Sequence, residues 1–172
     1  IASDLQKSPY EACAKTIAAF DKPLLAAVNG TATSVGAALT FHCDVVYVGE
    51  SLRMRLAYTS MGLVPEFAAS YMLANNIGAQ RAAELFFSSE WIDADKAVDY
   101  GLAANKYSDE ELLEKTLFKA AEIAQWPINA LRETKNCLKI SQKTAVDTAF
   151  AREMAGTRKQ AGSPENEEAK AA

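Results

Sequence analysis

The sequence predicts an α/β core followed by a helical region, and three features lead there. Short apolar runs bounded by turn residues crowd the first third of the chain, as buried strands do. Segments with helix-start and helix-stop residues fill most of the remainder. Strands early and helices late, without an internal repeat or low-complexity stretch, fit layered α/β packing with an appended helical part.

Taken in order, Ser8-Pro9-Tyr10-Glu11 puts serine at an N-cap, proline at the first helical position and glutamate three after the cap, so a helix to about Phe20 is expected. Leu24 to Asn29 is a short apolar run ending at Gly30 and reads as a buried strand. Small residues dominate Thr31 to Ala38 and continue apolar through Leu39, Phe41 and Cys43, which suits a helix packed tightly on that strand. Asp44–Val48 and Leu52–Leu56 read as two strands joined by the turn Gly49-Glu50-Ser51. A helix is expected from Phe67 towards Asn76, stopping at Gly78, and another over Ala79–Phe87. Asp93 caps Ala94–Tyr100, and Gly101 closes it as a left-handed residue. Ala103–Tyr107 is a last short strand. Ser108 with Glu111 opens a helix to about Gln125, Pro127 opens one to about Ile140, and another spans about Ala145 to Arg158. The tail from Ala161 is polar enough for disorder, although Ser163-Pro164-Glu165 resembles a helix start.

The 172 residues, 49% hydrophobic and 23% charged, are the size of one ordinary domain, so one core is expected. No apolar run is long enough to span a bilayer, so a soluble protein is expected. The net charge of −4 comes from interspersed acids and bases, which argues against nucleic acid or an anionic membrane surface as partner. Cys13, Cys43 and Cys137 follow no metal-ligand spacing and are expected to pack as small reduced hydrophobes, which fits a reducing compartment. The one histidine, His42, lies in an apolar stretch and reads as buried and structural rather than catalytic. The opening Ile-Ala-Ser-Asp, without Met, leads us to expect residues upstream.

The segment Lys22 to Gly30, then Ala32, Gly36, Cys43-Asp44 and Gly62-Leu63-Val64-Pro65, resembles the signature region of the crotonase (enoyl-CoA hydratase/isomerase) superfamily. Ala82 to Leu85, Ile92 to Ala94, Tyr100 to Leu102 and Pro127 to Leu131 continue that pattern, so the resemblance covers roughly residues 20 to 140. It implies a crotonase-like spiral of ββα turns with a helical C-terminal region. The expected division is residues 1–105, the C-terminal part of the spiral core, and 106–172, a trimerisation region. It also implies a fatty acyl-CoA substrate, no metal and no cofactor beyond the substrate's own coenzyme A, and assembly as a homotrimer or dimer of trimers. Family members hold the thioester oxygen between two backbone amides while an enolate forms. One amide falls on Val35, beside Gly36, where a helix N-terminus leaves amides without internal partners. Tight helix packing is the simpler use of these small residues. The second amide belongs to a loop expected upstream of Ile1, and the tail resembles the opening of the family's last helix.

Family hydratases use two glutamates, and their positions fall on Ala38 and Tyr58, neither of which replaces a carboxylate. A carboxylate does appear at Glu66. The string Gly62-Leu63-Val64-Pro65-Glu66-Phe67 resembles the monofunctional peroxisomal-type 3-enoyl-CoA to 2-enoyl-CoA isomerases, whose single catalytic glutamate follows that proline. The resemblance implies Glu66 as proton shuttle, with Leu63, Val64, Phe67, Tyr71 and Met72 as apolar lining that keeps water out. Alternatively, Pro65-Glu66 merely begins a solvent-facing helix. A divergent crotonase reaction on an acyl-CoA enolate and a catalytically silent scaffold are the rival functions. Arg53 and Arg55 read as an exposed strand face, Lys135 and Lys139 as solvent-facing, and Trp91 and Trp126 as helix anchors near turns.

Overall fold

The computed structural model describes residues 9–171. Pro9 is the first residue of α1 (Pro9–Ala18), while the expected cap Ser8 and the opening Ile1 to Asp4 lie outside the described residues. Two successive strand–strand–helix turns follow. The first is β1 (Leu25–Val28), β2 (Thr31–Thr33) and α2 (Val35–Thr40); the second is β3 (Val45–Gly49), β4 (Arg53–Arg55) and, after a loop, α3 (Ala69–Ile77). β1 pairs in parallel with β3, Leu25 opposite Val45, and β2 in parallel with β4, Thr31 opposite Arg53. Each turn therefore contributes one strand to each of two sheets, as expected for a spiral.

α4 (Ala79–Ser88), β5 (Trp91–Ile92), α5 (Ala94–Asp99) and β6 (Asn105–Tyr107) come next. β6 joins β3 in parallel, giving the order β1-β3-β6, and β5 runs antiparallel to β4, giving β2-β4-β5. Strands β2 and β5 were not expected, because each is two or three residues long and its pairing is set by a distant partner. The local readings at the helix ends hold: the Asp93 carboxylate accepts the Lys96 amide at 2.8 Å, and Gly101 is left-handed at φ +78°.

α6 (Asp109–Ala124) packs on β1, β3 and β6, and β6 straddles the expected boundary after residue 105. Ser108 caps α6 by accepting the Glu111 amide at 3.3 Å. α7 (Ile128–Lys139), α8 (Lys143–Gln160) and α9 (Pro164–Ala171) complete the chain. The tail is thus helical from Pro164. α8 packs against α3, and α9 against the 3-10 turn Thr59–Met61, so the last helices wrap the loop between β4 and α3. Leu52, Met54, Leu56, Leu73, Leu85 and Ile92 are among the largest fully buried side chains of the core. Among the described residues no helix is long and apolar enough to cross a membrane.

Candidate active site

α2 carries the first of the expected site residues. Val35 occupies its first position, where no carbonyl of the helix can receive the amide. Ser34 turns the chain into the helix at φ +47°, and its amide donates to the Arg55 carbonyl at 2.9 Å, tying the helix start to β4. A Cβ placed on Gly36 would meet no atom within 4 Å, so space lies over this end of the helix. The next turn points inward: Ala37 and Ala38 are fully buried. Tight packing and an open N-terminal edge therefore coexist in one short helix.

The other expected site residues lie on the loop from Tyr58 to Ala68. After the 3-10 turn, Gly62 is left-handed at φ +63°, and the Leu63 amide donates back to the Tyr58 carbonyl at 2.9 Å. Glu66 is half-buried. It does not begin a helix: Phe67 and Ala68 follow in the left-handed region at φ +63° and +54°, and α3 starts only at Ala69. The expected helix from Phe67 is corrected accordingly. Two consecutive left-handed residues with side chains are sterically unfavourable, so neighbours must hold them.

Those neighbours are His42 and Glu153. The His42 imidazole is buried, stacks on Phe150 with ring centroids 6.2 Å apart, and donates from Nε2 to the Phe67 carbonyl at 2.7 Å. Burial holds this imidazole below its usual value, against the raising effect of the Phe67 carbonyl, so it is neutral with the proton on Nε2. The structural reading of His42 is correct, and its contact is with the Glu66 loop. Glu153, which sequence reasoning missed, projects from α8 and is 6% exposed. Its Oε2 accepts the Ala68 amide at 2.7 Å and its Oε1 the Ser70 amide at 2.8 Å. Burial pushes its carboxyl up, the Ser70 and Ala68 bonds pull it down, and the Glu66 charge pushes it up again. No sequence signal marks this pairing, because the partners lie 85 and 83 residues apart.

Tyr58 lies beside both carboxylates. Its Oη is buried without a hydrogen-bond partner among the described residues. Burial, then the charges of Glu66 and Glu153, push the phenol far above its usual value; the Glu66 backbone lies near enough to offset part of this without meeting hydrogen-bond geometry. Tyr58 is thus no base at neutral pH.

The predicted lining divides. Leu63 is half-buried, and Val64 packs so closely on α8 that a Cβ at Gly156 would lie 2.8 Å from its Cγ2. The Phe67 ring is buried edge-on to His42, centroids 6.2 Å apart. Tyr71 donates to Asn75 at 3.5 Å. Met72 lies elsewhere, lining a cleft of about 730 Å³ between α1, α7 and α8 together with Phe20, His42, Arg132, Lys139 and Phe150. Neither Val35 nor Glu66 borders that cleft.

Other sequence expectations are revised. Lys135 is not solvent-facing: its Nζ donates to Asp44 Oδ2 at 2.6 Å and to the Lys22 carbonyl at 2.7 Å. Lys139 donates to the His42 carbonyl at 2.9 Å and pairs with Asp44 Oδ1 at 3.1 Å, so the two lysines clamp α7 to the start of β3. Arg53 is exposed on the strand, as expected, and Arg55 is half-buried; they stack over Trp91 at 4.4 and 5.5 Å, and Arg55 Nε donates to the Ser89 carbonyl at 2.5 Å. Trp91 therefore anchors strand β4 rather than a helix, and Trp126 is exposed. The three thiols are free, but only Cys43 is partly buried; Cys13 and Cys137 are exposed. No cluster of metal-ligating side chains occurs among the described residues.

Stacked strand–strand–helix turns with a helical C-terminal region define the crotonase-type fold. The chain belongs to the enoyl-CoA hydratase/isomerase family, whose family model matches residues 2–169. It is 35% identical over 135 residues to a 2,3-dehydroadipyl-CoA hydratase of Escherichia coli, covering 78% of this chain and 53% of that protein. It is 27% identical over 139 residues to a 1,2-epoxyphenylacetyl-CoA isomerase of the same organism, covering 81% and 53%. A solved enoyl-CoA hydratase/isomerase from Pseudoalteromonas atlantica superposes with a TM-score of 0.90 at 33% identity, covering 92% of this chain and 64% of the other. The chain spans about half the length of these curated relatives.

Proposed function

We propose that the complete protein shifts the double bond of a 3-enoyl-CoA to the 2-enoyl isomer, with Glu66 as the proton shuttle. The observation that carries this reading is that Glu66 is half-buried on the loop after Pro65, while Ala38 and Tyr58, where the resemblance puts the two hydratase glutamates, are a buried alanine and a buried phenol. The resemblance to the peroxisomal-type isomerases rests on the same residue. The other carboxylate nearby, Glu153, has both oxygens committed to backbone amides.

In the reaction, the Glu66 carboxylate takes a proton from C2 of the 3-enoyl thioester. The electrons move through a dienolate to the thioester oxygen, which the Val35 amide steadies with its helix-end polarity. The same carboxyl group then delivers the proton to C4, leaving the double bond between C2 and C3 and Glu66 ionised again. No metal or redox step is needed. The open space over Gly36 leaves the helix end accessible to a thioester, and half-buried Leu63 supplies apolar surface on the Glu66 loop. Exposed Leu113, Leu117 and Phe118 on α6 support assembly of copies, as a trimer or dimer of trimers.

The test is turnover of a 3-enoyl-CoA by the full-length protein, followed by the absorbance of the conjugated product. Glu66→Gln should lower kcat by about 10²–10⁴-fold, the usual contribution of a positioned acid–base group, with acyl-CoA binding retained. Full activity in that variant removes Glu66 from the mechanism. The relative that is a hydratase favours a second reading, addition of water to a 2-enoyl-CoA. Formation of the 3-hydroxy product faster than isomerisation would select it.

A further inference from the structure

The backbone around Glu66 is held from outside its own segment. Helix α3 lacks a side-chain cap, because its N-cap residue is Ala68, itself left-handed. Helix starts ordinarily use a serine, threonine, aspartate or asparagine at that position. Here a carboxylate from α8 does this work, since Glu153 accepts the Ala68 and Ser70 amides through its two oxygens. His42, two residues beyond the end of α2 and stacked on Phe150 of α8, holds the Phe67 carbonyl. Two further contacts from the same C-terminal helices reach this loop. Val64 packs on Gly156 of α8, and the side-chain Nδ2 of Asn166 in α9 donates to the Met61 carbonyl at 2.6 Å. Residues 61–70 are thereby fixed at four points, three of them supplied by α8 and α9.

We propose that Glu153 is a positioning residue for Glu66: by bridging the Ala68 and Ser70 amides, its carboxylate fixes the left-handed turn that aims Glu66, with His42 steadying the turn through the Phe67 carbonyl. The proposal rests on Glu66 being the proton shuttle. It makes α8 of the chain part of the site, so proton transfer depends on how that helix is seated. A carboxylate suits the role because its two acceptor oxygens meet two amides that lie two residues apart, and helix N-terminal amides favour negative charge. Glutamine keeps the shape but turns an NH₂ group towards one of the amides. Aspartate keeps both acceptors and the charge but withdraws them by one methylene.

The experiment uses the full-length protein with Glu153→Gln, Glu153→Asp and Glu66→Gln, reading 3-enoyl-CoA kinetics and backbone amide hydrogen exchange. Glu153→Gln should lower kcat by about 10- to 100-fold, as a misplacement near 1 Å does, with KM changed less than about threefold. Exchange at Ala68 and Ser70 should speed up at least tenfold, while amides of β3 stay protected. Glu153→Asp should give an intermediate rate, and it serves if the glutamine variant fails to fold. Faster exchange at Ala68 and Ser70 with an unchanged kcat would overturn the positioning role, leaving Glu153 a helix cap alone. Unchanged exchange would overturn the contact itself. A Glu66→Gln protein with full rate would overturn the functional reading and the positioning role with it, while the exchange data still judge the cap.

Discussion

Gly62→Ala probes how firmly the C-terminal helices press on the Glu66 loop. Gly62 has φ +63°, and a Cβ built there would lie 2.9 Å from the Asn166 amide nitrogen, 3.0 Å from the Asn166 Cα and 3.0 Å from the Glu165 carbonyl carbon. Carbon contacts normally settle at about 3.5–4.0 Å, so α9 or the loop must withdraw by about half an ångström or more. The atoms in the way are backbone, which cannot swing aside as a side chain would. Left-handed backbone with a Cβ costs about 1–2 kcal/mol. Overpacking adds about 1–3 kcal/mol. A stiffer unfolded chain returns at most about 1 kcal/mol. Gly101→Ala is the control, because Gly101 is left-handed at φ +78° but a Cβ there meets no atom within 4 Å. Urea unfolding of both variants isolates the clash, and Gly62→Ala should be the less stable by at least about 1 kcal/mol. Equal destabilisation would refute the account of α9 bearing on the loop.

Tyr58→Phe should leave stability unchanged or raise it by up to about 1 kcal/mol, because it removes a buried hydroxyl that no described group satisfies. The same variant should retain isomerase activity, and a hundredfold loss would assign the phenol a chemical role. Burial holds His42 below its usual value. As pH falls through about 6.5, the unfolded chain therefore takes up a proton that the folded chain refuses, and stability declines; above that range the contribution is fully present. His42→Gln should flatten this slope, read as the change in urea midpoint between pH 7.5 and 5.5, and an unaltered slope would contradict the buried neutral imidazole.

What the sequence made legible is what local chemistry decides. Asp93, Ser108 and Gly101 mark helix ends because caps involve residues three or four apart, and all three act as expected. The apolar runs of β1 and β3 identify themselves by content. Strand β2 was hidden because Thr31-Ala32-Thr33 has no apolar run, and its pairing with Arg53–Arg55 is settled across the spiral. The left-handed turn at Phe67 and Ala68 was hidden for the same reason, since neither residue favours it and its supports come from α2 and α8. Lys135 and Lys139 look like a solvated helix face until Asp44, 91 residues before Lys135, is brought beneath them. Glu66 stood out through resemblance, and the device that holds its loop did not.

The most direct measurement is a structure of the full-length protein with an unreactive 3-enoyl-CoA analogue. The account predicts the Glu66 carboxylate about 3–3.5 Å from both C2 and C4 of the chain, with the thioester oxygen in hydrogen-bond reach of the Val35 amide. A Glu66 carboxylate turned to bulk water, or an acyl chain lodged in the cleft beside Met72 and Phe150, would contradict it.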